Sequence, residues 1–191
     1  MRIKRKYLYL SVIGLVLAAG GVTLLFYHSN PRVVRPEVVD TKRDVSDNLK
    51  QINKFLAEKD QERIRSFIRR RGWDMKRTGS GLWYTVYRDG EGEQIREGMY
   101  VKMNYEIRLL DGTLCYTSDS TGAKIFRVGH QEETQGLYIG LKLLREGDQA
   151  RLIMPPHLGH GLVGDGERIP ARAILVYDLT ILEASPDKIR R

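Results

Sequence analysis

The chain has 191 residues, a formal charge of +8 and a single cysteine, Cys115. That length suits one ordinary domain plus an extension, and one thiol excludes an intrachain disulfide and a cysteine-based metal site. An apolar content of 41% excludes global disorder, and the absence of any zinc-finger, helix-turn-helix or RNA-binding signature argues against a nucleic-acid partner despite the basic charge.

Arg2, Lys4, Arg5 and Lys6 precede an uncharged run of 21 residues, Tyr7 to Tyr27. A helix of that length spans a hydrocarbon core of ~30 Å, and Tyr7, Tyr9 and Tyr27 lie at its ends, where amphipathic rings prefer the interface. The basic start predicts a cytoplasmic N-terminus and a domain on the far, periplasmic side, with residues 1–28 as a single-pass inner-membrane anchor contacting lipid. A cleaved signal peptide is the competing reading, because Ala18-Ala19-Gly20-Gly21 offers small residues to a peptidase; it would leave a secreted or periplasmic protein. The apolar run continues past that point through Phe26, which favours the anchor.

Residues 29–44, with Pro31 and Pro36, read as an extended spacer. Residues 45–72 read as a helical extension in two stretches. Val45, Leu49, Ile52 and Leu56 recur at helical spacing; Asp60 is expected to cap a second stretch with Ile64, Phe67 and Ile68 on one face. Arg69-Arg70-Arg71 suits a helix C-terminus and Gly72 the stop. These helices are expected to pack on the domain or to mediate self-association, and Val45–Arg71 is a candidate docking segment for a membrane protein complex. Lys59–Arg77 holds eight basic and three acidic residues, a charge suited to anionic lipid headgroups or to a solvated face.

From Trp73 to residue 185 the pattern is that of strands. Leu82–Tyr87 is rich in aromatic and β-branched residues. Met99 to Leu109 alternates with period two, and Asp111-Gly112 turns the chain. Gln149–Met154 and Ala173–Glu183 follow, the second apolar on both faces and so central in its sheet. Thr134–Leu144 is a short helix; Leu162–Arg168, with Gly164, Asp165 and Gly166, is expected to be a mobile loop over a pocket. Residues 186–191 form a basic tail. Strands with one short helix give an α+β fold on an antiparallel sheet.

This order of elements, with its residues, resembles the FKBP family of peptidyl-prolyl cis-trans isomerases. Val101, Tyr105, Leu109, Asp111 and Gly112 resemble V-x-x-x-Y-x-x-x-L-x-D-G. Phe126-Arg127-Val128-Gly129 is similar to F-x-L-G, and Gly136-Leu137 with Gly140 to G-[WL]-x-x-[GA]. Arg145 to Asp148, Pro155 to Gly161 and Ile169 to Leu179 resemble the later motifs in family order. A closer resemblance, through Asp60 to Ile64, Arg70 to Trp73 and Asp111 to Tyr116, is to membrane-associated FKBPs linked with gliding motility in Bacteroidetes-type bacteria. No lipobox cysteine is present, so lipidation does not carry over.

The resemblance implies a curved antiparallel sheet around the short helix, with the substrate pocket between them, no cofactor, and proline-containing polypeptides as substrates. Transferred by motif position, Tyr105, Phe126, Leu137, Ile169 and Tyr177 line the pocket; Leu137 and Ile169 alone would read as ordinary core. Tyr116 stands where the family has an aspartate and is expected to offer a phenol O–H. Cys115 replaces an aromatic and reads as a small buried hydrophobe or a reactive thiol. His160 replaces a tyrosine and can donate to a substrate carbonyl, and Glu133-Thr134 replaces a Val-Ile pair. These departures imply a shifted or reduced activity, or a binding module that keeps the fold without the catalysis. His157 and His160 lie three apart without a third ligand, so no metal is expected.

Overall fold

The computed structural model describes residues 41–130 and 133–189. The expected anchor at 1–28, the spacer as far as residue 40 and the end of the basic tail lie outside the described residues. The chain divides into two compact units, 1–48 and 49–191. Of the first, only the opening turns of a helix are described. Among the described residues no helix is long and apolar enough to cross a membrane.

That helix, α1, runs unbroken over Thr41–Arg71. It therefore begins inside the expected spacer and merges the two expected helical stretches. Ala57-Glu58-Lys59 contains no breaker, and Asp60 is not a cap. Its carboxylate accepts instead from Arg172 Nη2 at 2.9 Å, which offsets the cost of its burial. The helix ends as the sequence predicts. Gly72 N–H donates to the Arg69 carbonyl and Trp73 N–H to the Ile68 carbonyl, both at 3.2 Å, the paired closure of a Schellman motif.

The strands are β1 (Lys76–Arg77), β2 (Trp83–Arg88), β3 (Tyr100–Leu109), β4 (Leu114–Thr117), β5 (Lys124–Arg127), β6 (Gln149–Met154) and β7 (Leu175–Ser185). They form an antiparallel sheet in the order β1-β2-β6-β7-β3-β4, with β5 also paired to β3. Two short helices, α2 (Ser118–Thr121) and α3 (Gln135–Leu141), and a 3-10 turn at Pro156–Leu158 complete the described elements. The fold is α+β. As its two-sided apolar pattern requires, β7 is central, between β6 and β3.

Alternation along the central strands feeds two cores. On one face Ala150, Leu152, Met154, Leu175, Tyr177 and Leu179 pack with Leu137, Leu141 and Leu144 of α3 and its C-terminal turn. On the other, Ile153, Ile174 and Val176 meet Ile64, Phe67 and Ile68 of α1. Gln61 ties α1 to the sheet, donating to the Gly81 carbonyl at 3.0 Å and accepting from Trp83 Nε1 at 2.8 Å. Residues 45–55 of α1 bury no such face; Leu49, Ile52 and Phe55 are exposed.

α3 can approach β6 only because two of its residues are glycines. A Cβ at Gly136 would lie 2.6 Å from Met154 Sδ, and one at Gly140 would lie 2.4 Å from Leu152 Cδ1. The spacing of four puts both on one face of the helix, which fixes the height of Leu137 above the sheet.

Candidate functional site

Between α3 and that face of the sheet lies a cavity of about 260 Å³. Its floor and sides are the residues that period two brings together. Met103, Tyr105 and Ile107 share a face of β3, and Tyr177 on β7 pairs with Ile107 on one side and Leu152 on the other. Leu137 of α3 projects from above; Thr134, the N-cap, accepts from Leu137 N–H at 3.4 Å. Tyr116 of β4 and the loop after the 3-10 turn, through His160, Asp165 and Ile169, form the opposing wall.

Each polar group here has a definable state. Burial, reinforced by the Glu133 carboxylate, pushes the Tyr177 phenol well above its ordinary range, so it remains a neutral donor. The Tyr105 hydroxyl shares a 2.9 Å hydrogen bond with Thr121 Oγ1, which α2 presents after its N-cap at Thr117. The His160 ring makes no hydrogen bond among the described residues and faces the cavity. Glu133 lies 2.7 Å from Lys124 Nζ, an ion pair at the cavity edge.

Asp165 is the group that sequence reasoning left out of the site. Its Oδ1 accepts from the backbone N–H groups of Glu167, Arg168 and Ile169 at 2.9, 3.0 and 2.8 Å. Its Oδ2 accepts from the Tyr116 hydroxyl at 2.5 Å. Burial opposes its charge, but these four donors outweigh burial and hold the carboxyl well below the usual range. The same hydrogen bond raises the Tyr116 phenol to about 12. The expected mobile loop is thus pinned by one side chain at its centre. The phenol proton that Tyr116 was expected to offer a substrate is directed at Asp165. The signal available in the sequence was Gly164-Asp165-Gly166, a pattern suited to an aspartate folding the chain around itself.

Of the residues expected at the site, Tyr105, Tyr116, Thr134, Leu137, His160, Ile169 and Tyr177 line this cavity. Phe126 and Cys115 do not, and both are corrections. β5 pairs with β3 at its Tyr100–Met103 end, so Phe126 lies opposite Val101, four residues along β3 from Tyr105, while Lys124, opposite Met103, reaches the cavity instead. Phe126 is buried and lines a neighbouring cavity of about 290 Å³ with Glu97, His130 and Tyr138. Cys115 is the extra residue of a β-bulge, since Ile107 pairs with Tyr116 but Arg108 with Leu114. It is buried, its thiol lies 3.6 Å from the Arg168 carbonyl, and burial pushes that thiol up. The buried-hydrophobe reading describes it; the reactive-thiol reading lacks exposure, and the neighbouring Arg168 guanidinium does not offset burial and the Asp165 and Asp111 carboxylates, which push the thiol up. Met103, Ile107, Lys124 and Glu133 complete the lining. The two apolar ones follow from the period-two run that placed Tyr105; Glu133 was marked by its place in the Val-Ile pair, and Lys124 had no local signal.

Comparison with known proteins agrees with this architecture. Residues 91–182 match the family described as FKBP-type peptidyl-prolyl cis-trans isomerase. A probable FKBP-type peptidyl-prolyl cis-trans isomerase of Haemophilus influenzae is 31% identical over 117 residues, which cover 61% of this chain and 48% of that protein. A probable FKBP-type peptidyl-prolyl cis-trans isomerase FkpA of Neisseria meningitidis serogroup B is 33% identical over 109 residues, covering 57% of this chain and 40% of that one. The crystal structure of AtFKBP13 superposes with a TM-score of 0.57 at 24% identity, covering 59% of this chain and 99% of its own, a likeness of fold. The matched stretch, residues 91–182, holds every residue that lines the cavity, and its likeness is to FKBP-type peptidyl-prolyl cis-trans isomerases. The chain spans less than half the length of the two curated relatives, 48% and 40%.

Proposed function

We propose that this chain is a peptidyl-prolyl cis-trans isomerase acting on X-Pro bonds of exported or envelope proteins and so assisting their folding. The observation that carries the reading is the cavity whose apolar side is formed by Tyr105, Ile107, Leu137, Ile169 and Tyr177, within a stretch that matches the FKBP family. Rotation about an X-Pro bond must break amide resonance and meets a barrier of ~18–20 kcal/mol. No bond is made or broken. An apolar wall that holds the prolyl ring disfavours the planar, more dipolar amide, and a donor at the carbonyl stabilises the twisted form. The neutral Tyr177 phenol and the His160 ring are the donors at hand. Uncatalysed isomerisation takes ~10–100 s, long enough to limit the folding of a newly exported chain.

The location belongs to the same proposal. The basic start and the uncharged run from Tyr7 to Tyr27 support a single-pass inner-membrane protein with its isomerase domain on the periplasmic side. The resemblance to gliding-motility-linked FKBPs supports a role beside an envelope complex. A phosphatase fusion at Arg191 tests the orientation: activity in intact cells supports it, and a silent fusion that is made in full contradicts it.

The test of the activity is cis-to-trans conversion of X-Pro peptides by the full chain in detergent. A rate above background supports the enzyme. No rate on any peptide, with retained affinity for unfolded chains, selects the second reading, a catalytically weak FKBP-like chaperone or scaffold. Two observations favour that alternative: the engagement of the Tyr116 hydroxyl with Asp165, and the exposed Leu49, Ile52 and Phe55 on α1.

A further inference from the structure

The charges around the cavity are unequally matched. Glu133 is neutralised by Lys124 at 2.7 Å. Asp165 is not neutralised in this way. All four of its hydrogen bonds come from uncharged donors, three backbone N–H groups and a phenol. Among the described residues no ion pair involves it. The cation in its own loop, Arg168, donates to the Cys115 carbonyl at 3.0 Å and lies over the Tyr116 ring, 5.4 Å from its centroid, without forming an ion pair with Asp165. A second carboxylate stands at the same rim, Glu167 Oε2, 3.4 Å from the Tyr116 hydroxyl. Uncharged donors lower the energy of an anion without cancelling its field, so the mouth of an otherwise apolar cavity carries a fixed negative charge.

We propose that Asp165 is a specificity-determining residue, and that it makes this cavity select prolines flanked by a cationic side chain, lysine or arginine. The inference rests on the isomerase reading of the cavity and names its substrate class. The cavity is of a size to take a prolyl ring, which leaves the neighbouring side chains of the substrate at its rim, beside Asp165 and Glu167. A flanking lysine gains Coulomb attraction there, and a flanking glutamate meets repulsion. The depressed Asp165 carboxyl keeps the charge in place across the physiological range. Asp165 also organises the loop, so its charge must be separated from its structural role. Asparagine does this. The amide oxygen still accepts from the three backbone N–H groups, and the amide N–H can donate to the Tyr116 hydroxyl oxygen, while the charge is gone.

The experiment compares neutral-capped peptides carrying Lys, Leu or Glu on either side of proline, with the full chain and with Asp165→Asn and Asp165→Glu. Both kcat/KM for isomerisation and dissociation constants from peptide-induced chemical shifts are measured. The native chain is expected to favour Lys over Glu by roughly three- to tenfold at low salt, with the preference shrinking at 1 M salt, where the screening length is about 3 Å. D165N is expected to lower the Lys peptide and raise the Glu peptide, each measured relative to the Leu peptide, and D165E to restore the preference. Equal changes for all three peptides in D165N, or no Lys-over-Glu preference in the native chain, would overturn the proposal. If the native chain accelerates no peptide, the isomerase reading fails by itself; the ratio of dissociation constants then decides the charge preference.

Discussion

The two walls of the cavity are built in opposite ways. The sheet-and-helix wall is held by backbone ladders and close packing: Ile107 pairs with Tyr177, Tyr177 with Leu152, and α3 presses on β6 through Gly136 and Gly140. The loop wall has no ladder. It is held by Asp165, which gathers the N–H groups of residues 167 to 169 and is joined to β4 by the Tyr116 hydroxyl. Gly164 makes that turn possible, since its φ is +75° and a Cβ there would lie 2.1 Å from the Ile169 carbonyl oxygen. The first wall sets the cavity's shape, and its residues are also core residues. The second sets polarity; Ile169 anchors it in the core and Tyr116 packs against that core, but Asp165 and His160 are not core residues. Mutations should therefore separate: global stability on one side, loop order and cavity chemistry on the other.

Tyr177→Ala would break this separation most severely from the sheet side. Truncating a side chain only 4% exposed is expected to cost about 3–5 kcal/mol of global stability, read as a shift in the urea midpoint at constant slope. Gly140→Val comes next. Its branched side chain would start 2.4 Å from Leu152 Cδ1, and forcing α3 off the sheet is expected to cost about 1–3 kcal/mol by the same measurement. Asp165→Ala should act differently. It removes the acceptor of three backbone N–H groups, so hydrogen exchange at Glu167, Arg168 and Ile169 should accelerate about tenfold or more, while the urea midpoint moves little. A global loss as large as that of Tyr177→Ala would contradict the contrast between the walls.

Acid should reproduce the loop effect reversibly. The folded Asp165 carboxyl is held below its unfolded value. Its contribution is therefore present above the unfolded carboxylate pKa of ~4 and is lost as the pH falls through the depressed folded value. Exchange at residues 167 to 169 is expected to rise in that acid window before the core amides of β7 respond. At the alkaline end the sign reverses. The Tyr116 phenol is raised to about 12, so its contribution is present below pH ~10 and lost as the pH rises through the folded value. Titration of the Tyr116 ring by NMR should show this, and Asp165→Asn should bring the midpoint back toward ~10, the smallest of these effects.

The same contrast explains what the sequence revealed. Period two over Met99 to Leu109 placed β3 to within a residue and put Tyr105 on the inner face, because side-chain alternation is a local property of a strand. β4 and β5, four residues each, are too short for a period to register, and with them went the positions of Cys115 and Phe126. A bulge buries the first, and the pairing of β5 with the far end of β3 carries the second away. Asp60 read as a cap because it is a good one in isolation; its partner, Arg172, lies 112 residues along the chain. Asp165 likewise meets Tyr116 across 49 residues. A glycine-flanked aspartate announces a turn, and its loop was expected over the pocket, but only the fold shows that the carboxylate holds the loop and meets Tyr116.

The central claim is that this cavity is where an X-Pro bond is held and twisted. The most direct measurement is a titration of the full chain, labelled with ¹⁵N, with a Lys-Pro peptide, with cis–trans exchange of the peptide followed in the same samples. The account predicts shifts concentrated at Tyr105, Leu137, Ile169 and Tyr177 together with faster cis–trans exchange that Ile169→Trp, by filling the cavity, abolishes. Shifts confined to the exposed face of α1, or accelerated exchange that survives Ile169→Trp, would contradict it.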